Sequence, residues 1–247
     1  MPTARGASGL LSFISRYMNL QNPNRVDLYD DENAPEARFR RVRFARLMPI
    51  IERIVREKSS CRIADLGGTQ YYWHMVLDQL RGKNIQIVMI NIEPAPLTVP
   101  EIFVNELGDA TALTGHGDNT FDLVHSNSVL EHVGDWRNMQ NFAANARRLA
   151  PNYYVQTPNF WFPIEPHFRR IGFQWLPEQI RYRRLMANRL GFFDKSDTLH
   201  DAVSTVQFCH LIDRRQFAAL FPDAAIENEK FLGLTKSFTA IREHARS

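Results

Sequence analysis

From residue 60 onward, short apolar runs alternate with longer stretches in which apolar side chains recur every three or four positions. The runs at 62–66, 85–92, 103–107, 121–126 and 153–157 predict five strands, several of them β-branched and buried on both faces. The stretches at 71–80 and 130–149 predict helices between them. Upstream, Val42, Phe44, Leu47, Ile50, Ile51 and Ile54 form a broad stripe that predicts a helix over 39–56. Arg40, Arg41, Arg43 and Arg46 flank its first half, as a solvated basic face or one that meets phosphate. Leu10, Leu11, Phe13, Ile14, Tyr17 and Met18 fit one amphipathic helix, and the Pro, Asn and Asp of 22–35 predict a loop. At the far end, 213–220 predicts a helix, and 225–230 and 234–241 predict two strands with Leu232-Gly233 at the bend. Strands alternating with helices over 60–157 imply an α/β fold with a mostly parallel sheet and helices on both faces.

Composition narrows the class. The 247 residues are 44% hydrophobic and 11% aromatic, enough for a packed core in one large domain or a domain with a cap. The net charge is +3, too mild to demand nucleic acid, although 25 of the 30 basic residues are arginine. Cys61 enters the first core strand, so a disulfide with Cys209 is not expected, and a reducing compartment fits. The apolar run at 10–14 is too short for a secretion signal or a membrane span. These features suit a cytoplasmic protein, with peripheral contact to the inner membrane left open.

The chemistry concentrates at strand exits. Asp65-Leu66-Gly67-Gly68-Thr69 joins the first strand to the next helix, and two residues without a Cβ let the backbone turn sharply and pass close to a ligand. A helix starting there would aim free N–H groups over the turn. The second strand ends at Asn91-Ile92-Glu93-Pro94, where polar side chains suit the hydroxyls of a ribose. Gly108-Asp109-Ala110 follows the third strand. The fourth is Phe121-Asp122-Leu123-Val124-His125-Ser126-Asn127-Ser128-Val129-Leu130-Glu131-His132-Val133, in which His125 lies inside the apolar run and is expected as a packed core histidine.

These motifs resemble those of the class I S-adenosylmethionine-dependent methyltransferases of the type 11 kind. The likeness covers about residues 60–160 well and the tail loosely, and the fourth-strand segment is its most specific part. It implies a Rossmann-like seven-stranded sheet, with 1–59 as a helical segment packed on the core. Residues 60–247 then form the cofactor-binding domain, with a helical, aromatic cap at 160–205 inserted after strand 5. Thr69 departs from the family pattern, which has glycine there. By resemblance, S-adenosyl-L-methionine would be held by Asp65, Gly67, Gly68, Thr69, Asn91 or Glu93, Asp109, Ala110, Ser126 and Asn127. Asp109 would accept from the adenine amino group.

The segment 156–167 and the ending 220–237 resemble small bacterial methyltransferases of polysaccharide and glycolipid synthesis. Rhizobial enzymes that O-methylate a sugar of the nodulation factor are of that type. The implied activity is O-methylation of a sugar hydroxyl on a glycan, glycolipid or nucleotide-sugar. A hydroxyl of high pKa gains from a base, and His132, His167 and Glu165 are the candidates, the last two in a loop stiffened by Pro163 and Pro166. Histidine and acid spacings make no zinc pattern, so no metal site is expected, and a divalent ion that helps a sugar diol bind stays open.

The cap mixes Phe160, Trp161, Phe162 and Trp175 with Arg169, Arg170, Arg181 and Arg184. Such a surface suits sugar stacking with diphosphate binding, an anionic membrane, or a plain solvated face. Nothing resembles an RNA module, so no nucleic-acid partner is expected. Two other functions stay open: a lipid or quinone methyltransferase, and a non-catalytic cofactor-binding partner of another enzyme.

Overall fold

The computed structural model describes residues 35–94 and 96–244. The helix expected at 10–18, and the loop at 22–35 apart from Pro35, lie outside the described residues.

Helix α1 (Pro35–Lys58) comes first. Phe44, Leu47, Ile50, Ile51 and Ile54 of the predicted stripe are buried. Val42 is not: it is 58% exposed, and Arg40 takes an inward place at 6%. At about 100° per residue, Arg40, Phe44, Leu47, Ile51 and Ile54 share one face, and Val42 falls opposite to it.

Strands β1 (Cys61–Leu66), β2 (Ile85–Asn91), β3 (Phe103–Leu107), β4 (Leu123–Asn127) and β5 (Asn152–Pro158) follow the predicted runs to within two residues. A seven-stranded sheet has the order β3-β2-β1-β4-β5-β9-β8, where β8 is Ala225–Phe231 and β9 is Leu234–Arg242. β1 pairs in parallel with β2 and β4, β2 pairs in parallel with β3, and β8 and β9 form an antiparallel hairpin. The fold is the expected Rossmann-like α/β fold. β1 lies where the strand order reverses, the place at which open α/β sheets open a crevice beyond their strand ends.

Two helices differ from expectation. Residues 71–80 form no continuous helix. Instead there is a turn of helix α2 (Gln70–Trp73), a 3₁₀ turn (His74–Val76) and a further turn α3 (Leu77–Leu80). Tyr72 and Trp73 are both buried, and the Trp73 indole donates to the Asp65 carboxylate at 2.8 Å. The stretch 130–149 is also divided, into a 3₁₀ turn (Leu130–His132) and α4 (Trp136–Leu149). Gly134 stands between them at φ 104°, and the Asp135 carboxylate accepts from the Asn138 N–H at 2.9 Å, capping the new helix.

The chain forms two compact units. One comprises the described residues up to His125, with 146–154 and 243–244; the other comprises 126–145 and 155–242. The second unit holds a small hairpin of β6 (Ile164–Glu165) and β7 (Arg170–Ile171), then α5 (Glu178–Ala187), α6 (Leu199–Gln207) and α7 (Arg214–Leu220). α5 and α6 pack on each other. Asp213 caps α7 in a reciprocal box with Gln216.

Candidate functional site

In the first unit the site is the turn after β1. Gly67 turns at φ 71°, and its N–H donates to the Ile90 carbonyl at 2.9 Å. Gly68 is backed by Asp65 so closely that a Cβ there would meet the carboxylate oxygen Oδ2 at 1.7 Å. Asp65 is fully buried. Its Oδ2 accepts from Trp73 Nε1 at 2.8 Å, and its Oδ1 lies 2.7 Å from His125 Nδ1. A carboxylate only accepts, so Nδ1 carries the proton. Asp65 therefore acts inside the core, where it holds the turn from behind. His125 is the packed core histidine expected, ringed by Tyr72, Trp73 and Tyr154.

Asn91 reaches back from the end of β2 and donates to the Gly68 carbonyl at 2.7 Å. A crevice over the turn is lined by Gly68, Thr69, Gln70, Asn91 and Glu93 among others. Gln70, buried at 2%, clamps the loop beyond β2: its Nε2 donates to the Pro96 carbonyl at 2.9 Å, and its Oε1 accepts from the Thr98 N–H at 2.9 Å. Thus Gly68, Thr69, Asn91 and Glu93 come together as the sequence implies. Asp109 stands exposed on its loop, accepting from Thr111, and neither it nor Ala110 lines this crevice. Because α2 is only four residues long, the expected N–H donors of a long helix are replaced by a single turn. Ser126, fully buried, and Asn127 belong to the second unit.

The second unit holds a cluster of histidine, cysteine and carboxylate. His132 sits on the 3₁₀ turn after β4, with its ring stacked on Phe208 at 4.5 Å. His167 lies in the β6–β7 loop, its ring 4.7 Å from that of His132 at 78°. Glu165, 2% exposed, holds His167 Nδ1 at 2.8 Å through one oxygen and the Phe168 N–H through the other. Glu131 is fully buried: its Oε2 accepts from the Thr157 hydroxyl at 3.0 Å, and its Oε1 lies 4.0 Å from His167 Nε2.

Cys209 completes the group, its Sγ 3.9 Å from His132 Nδ1. It is positioned by the His210 N–H, which donates to the Glu131 carbonyl at 2.8 Å. Gly191, at φ 56°, packs so tightly on the His167 loop that a Cβ there would meet the His167 carbonyl at 2.3 Å. Cys209, Glu131 and Gly191 were not among the sequence candidates. Only the Glu131-His132 dipeptide gave a local signal; Cys209 lies 77 residues from His132. Both cysteines are free and buried, and burial, reinforced by Asp122, pushes the Cys61 thiol up to about 12.

Burial, followed by the charge of neighbouring His167, pushes His132 down to about 3. Burial opposes a charge on His167 too, but Cys209 and the Glu165 carboxylate outweigh it and raise His167 well above the usual histidine range. Unfolded, His132 takes a proton near pH 6.5; folded, it does so only near pH 3. Between those values the unfolded chain binds more protons, so stability falls as the pH drops through that window. His167 has the opposite sign: its contribution is full below the unfolded value and is lost as pH rises through the raised one. Urea melts of a His132→Gln variant should therefore lose less stability than the parent below pH 6.5. Identical slopes for the two proteins would acquit His132 of this acid sensitivity.

No family model matches the chain, and no curated protein matches it in sequence. Among solved structures, the 1,6-didemethyltoxoflavin-N1-methyltransferase of Burkholderia thailandensis, with 1,6-didemethyltoxoflavin and S-adenosylhomocysteine bound, matches at 12% identity. The likeness covers 99% of this chain and 92% of that one, with a TM-score of 0.50. The PH0226 protein of Pyrococcus horikoshii OT3 matches at 16% identity over 87% and 94%, with a TM-score of 0.49. A possible exported protein of Bordetella parapertussis matches at 14% identity and a TM-score of 0.49, over 80% of this chain, which spans 66% of that chain's length. The first of these likenesses shows the fold. Among the described residues, no helix is long and apolar enough to cross a membrane.

Proposed function

We propose that the chain is an S-adenosylmethionine-dependent methyltransferase. The observation that carries this reading is the turn after β1, where a carboxylate locked behind Gly68 leaves backbone, not side chain, facing the crevice. The residues at hand fit such a cofactor. Gly67, Gly68 and Thr69 admit close approach of its amino-acid end. Glu93, exposed at the crevice, suits the ribose diol, with Asn91 bracing the turn beneath it. Asp109 and Ala110 are assigned to the adenine, and Ser126 and Asn127 follow from the motif resemblance. When bound, the cofactor supplies a methyl group already activated on a sulfonium centre. The protein's task is then to position donor and acceptor in line.

We assign His132, His167 and Glu165 to the acceptor, and a sugar hydroxyl of a glycan, glycolipid or nucleotide-sugar as the group methylated. A cavity of about 410 Å³ lined by Arg170, Arg184, Arg189 and Phe173 supports an acceptor that carries phosphate. A second reading, a lipid or quinone acceptor reached at a membrane surface, draws on the exposed Trp161, Ile164, Ile171 and Trp175.

Calorimetry with S-adenosylhomocysteine tests the cofactor. The parent is expected to bind it, and Glu93→Ala to bind it about 10-fold more weakly, the loss of one charge-assisted hydrogen bond. No binding by the folded parent ends the proposal. Methyl-labelled S-adenosylmethionine incubated with a bacterial extract then separates the acceptors. Label in oligosaccharides or nucleotide-sugars supports the sugar reading, and label in apolar lipids the second. Binding without transfer of label favours a non-catalytic partner.

A further inference from the structure

We propose that His132, His167 and Cys209 form a binding site for a divalent transition metal of the zinc class. The ligating atoms of the three residues all lie within 4.8 Å of one another, although they come from three separate loops of the second unit. Zinc–nitrogen bonds of about 2.0–2.1 Å and zinc–sulfur bonds of about 2.3 Å place tetrahedral ligand atoms roughly 3.3–3.8 Å apart. The cluster needs a contraction of about 1 Å at its widest, within reach of side-chain rotation.

The ligand chemistry selects the ion. Two imidazoles and a thiol suit zinc, cobalt or iron, and they disfavour magnesium and calcium, which take oxygen. The surroundings have the layout of a metal's outer shell. Glu165 holds His167 Nδ1 at 2.8 Å, which leaves Nε2 as the nitrogen directed at Glu131. A carboxylate behind a histidine in this way fixes the tautomer and strengthens the ligand. Glu165 is in turn held by the Phe168 N–H, and Glu131 by the Thr157 hydroxyl. Two buried carboxylates and a thiol beside two imidazoles make a site that suits a divalent cation, with the ligand protons released to solvent as it binds. Cys209 is buried while both histidines are half-buried, so an ion can enter from the histidine side. The linear spacing hid the set: no pair of ligands falls within one short motif.

This inference does not rest on the methyl-transfer reading, and its test involves no turnover. The full-length protein is stripped with a chelator and titrated with Co²⁺ as a spectroscopic probe, then with Zn²⁺. The expected result is a thiolate-to-cobalt charge-transfer band with the intense visible bands of a tetrahedral site, saturating at one equivalent and bleached by Zn²⁺. Cys209→Ser should remove the charge-transfer band, while Cys61→Ser keeps it. Glu165→Gln, a positioning change, should weaken Co²⁺ about 10–100-fold and leave the band in place at saturation. If Cys209→Ser does not fold, as judged by circular dichroism, His167→Gln serves instead, with at least a 10-fold loss expected. A folded parent without a charge-transfer band overturns the proposal. So does a band that survives in folded Cys209→Ser, or Co²⁺ affinity unchanged in folded His167→Gln.

Discussion

Gly68→Ala is expected to destabilise the protein by about 3 kcal/mol. The added methyl would stand 1.7 Å from Asp65 Oδ2 and 2.1 Å from its carboxyl carbon. The carboxylate has nowhere to go, because Trp73 and His125 hold its two oxygens. Asp65→Ala alone strands those two donors in the core, at about 1–3 kcal/mol each. The double variant should cost clearly less than the sum, since alanine at 65 vacates the space that the new methyl needs. Urea denaturation of the two single variants and the double gives the coupling, expected at about 1 kcal/mol or more. Strict additivity would mean that the obstacle at Gly68 is something other than Asp65.

The parts of the fold that depend on local pattern were legible. Phe103–Leu107 is the predicted strand to the residue, and the hairpin falls at Leu232-Gly233 as expected. Asp213 and Gln216 carry the spacing of a capping box, and the helix after them forms. What was lost depends on tertiary partners. Val42 matches the apolar stripe in sequence, yet Arg40 holds the inward register and leaves Val42 facing out. The helix after Gly68 was overridden by Trp73, whose indole is drawn onto a carboxylate eight residues earlier. Gly134-Asp135 is a stop-and-cap signal inside a strong periodic stretch, and in the fold it prevails over the periodicity. At the site, His132, His167 and Glu165 were legible as residues following strand ends. Cys209 was not, because what brings it to His132 is tertiary: the stack of His132 on Phe208 and, on the other side of Cys209, the backbone hydrogen bond from His210 to Glu131. No property of residues 205–212 announces that bond.

Gly191→Ala should carry the second large effect, at a residue that touches no ligand. Its φ of 56° lies in the left-handed region, and the new Cβ would meet the His167 carbonyl at 2.3 Å and the Phe168 carbonyl carbon at 2.5 Å. Both obstacles are backbone, so the β6–β7 loop has to move as a body and take the His167 ring with it. The strain alone is worth about 1–3 kcal/mol. A displacement of about 1 Å at a positioned group costs on the order of 100-fold in rate. The expected outcome is a lowered melting temperature together with methyl transfer reduced about 100-fold, with S-adenosylhomocysteine affinity kept. Parent-like melting and transfer would show that the loop yields without disturbing His167.

Asp65 answers to Trp73 and His125, so the three side chains are heritable only as a block. A lineage that loses the indole strands one carboxylate oxygen, and a lineage that loses the imidazole strands the other. Each single step is costly, whereas exchanging all three for well-packed apolar residues is close to neutral. Drift at positions 8 and 60 residues away from Asp65 is thereby tied to it. Descendants of a common ancestor are left with two stable conditions, the whole set or none of it.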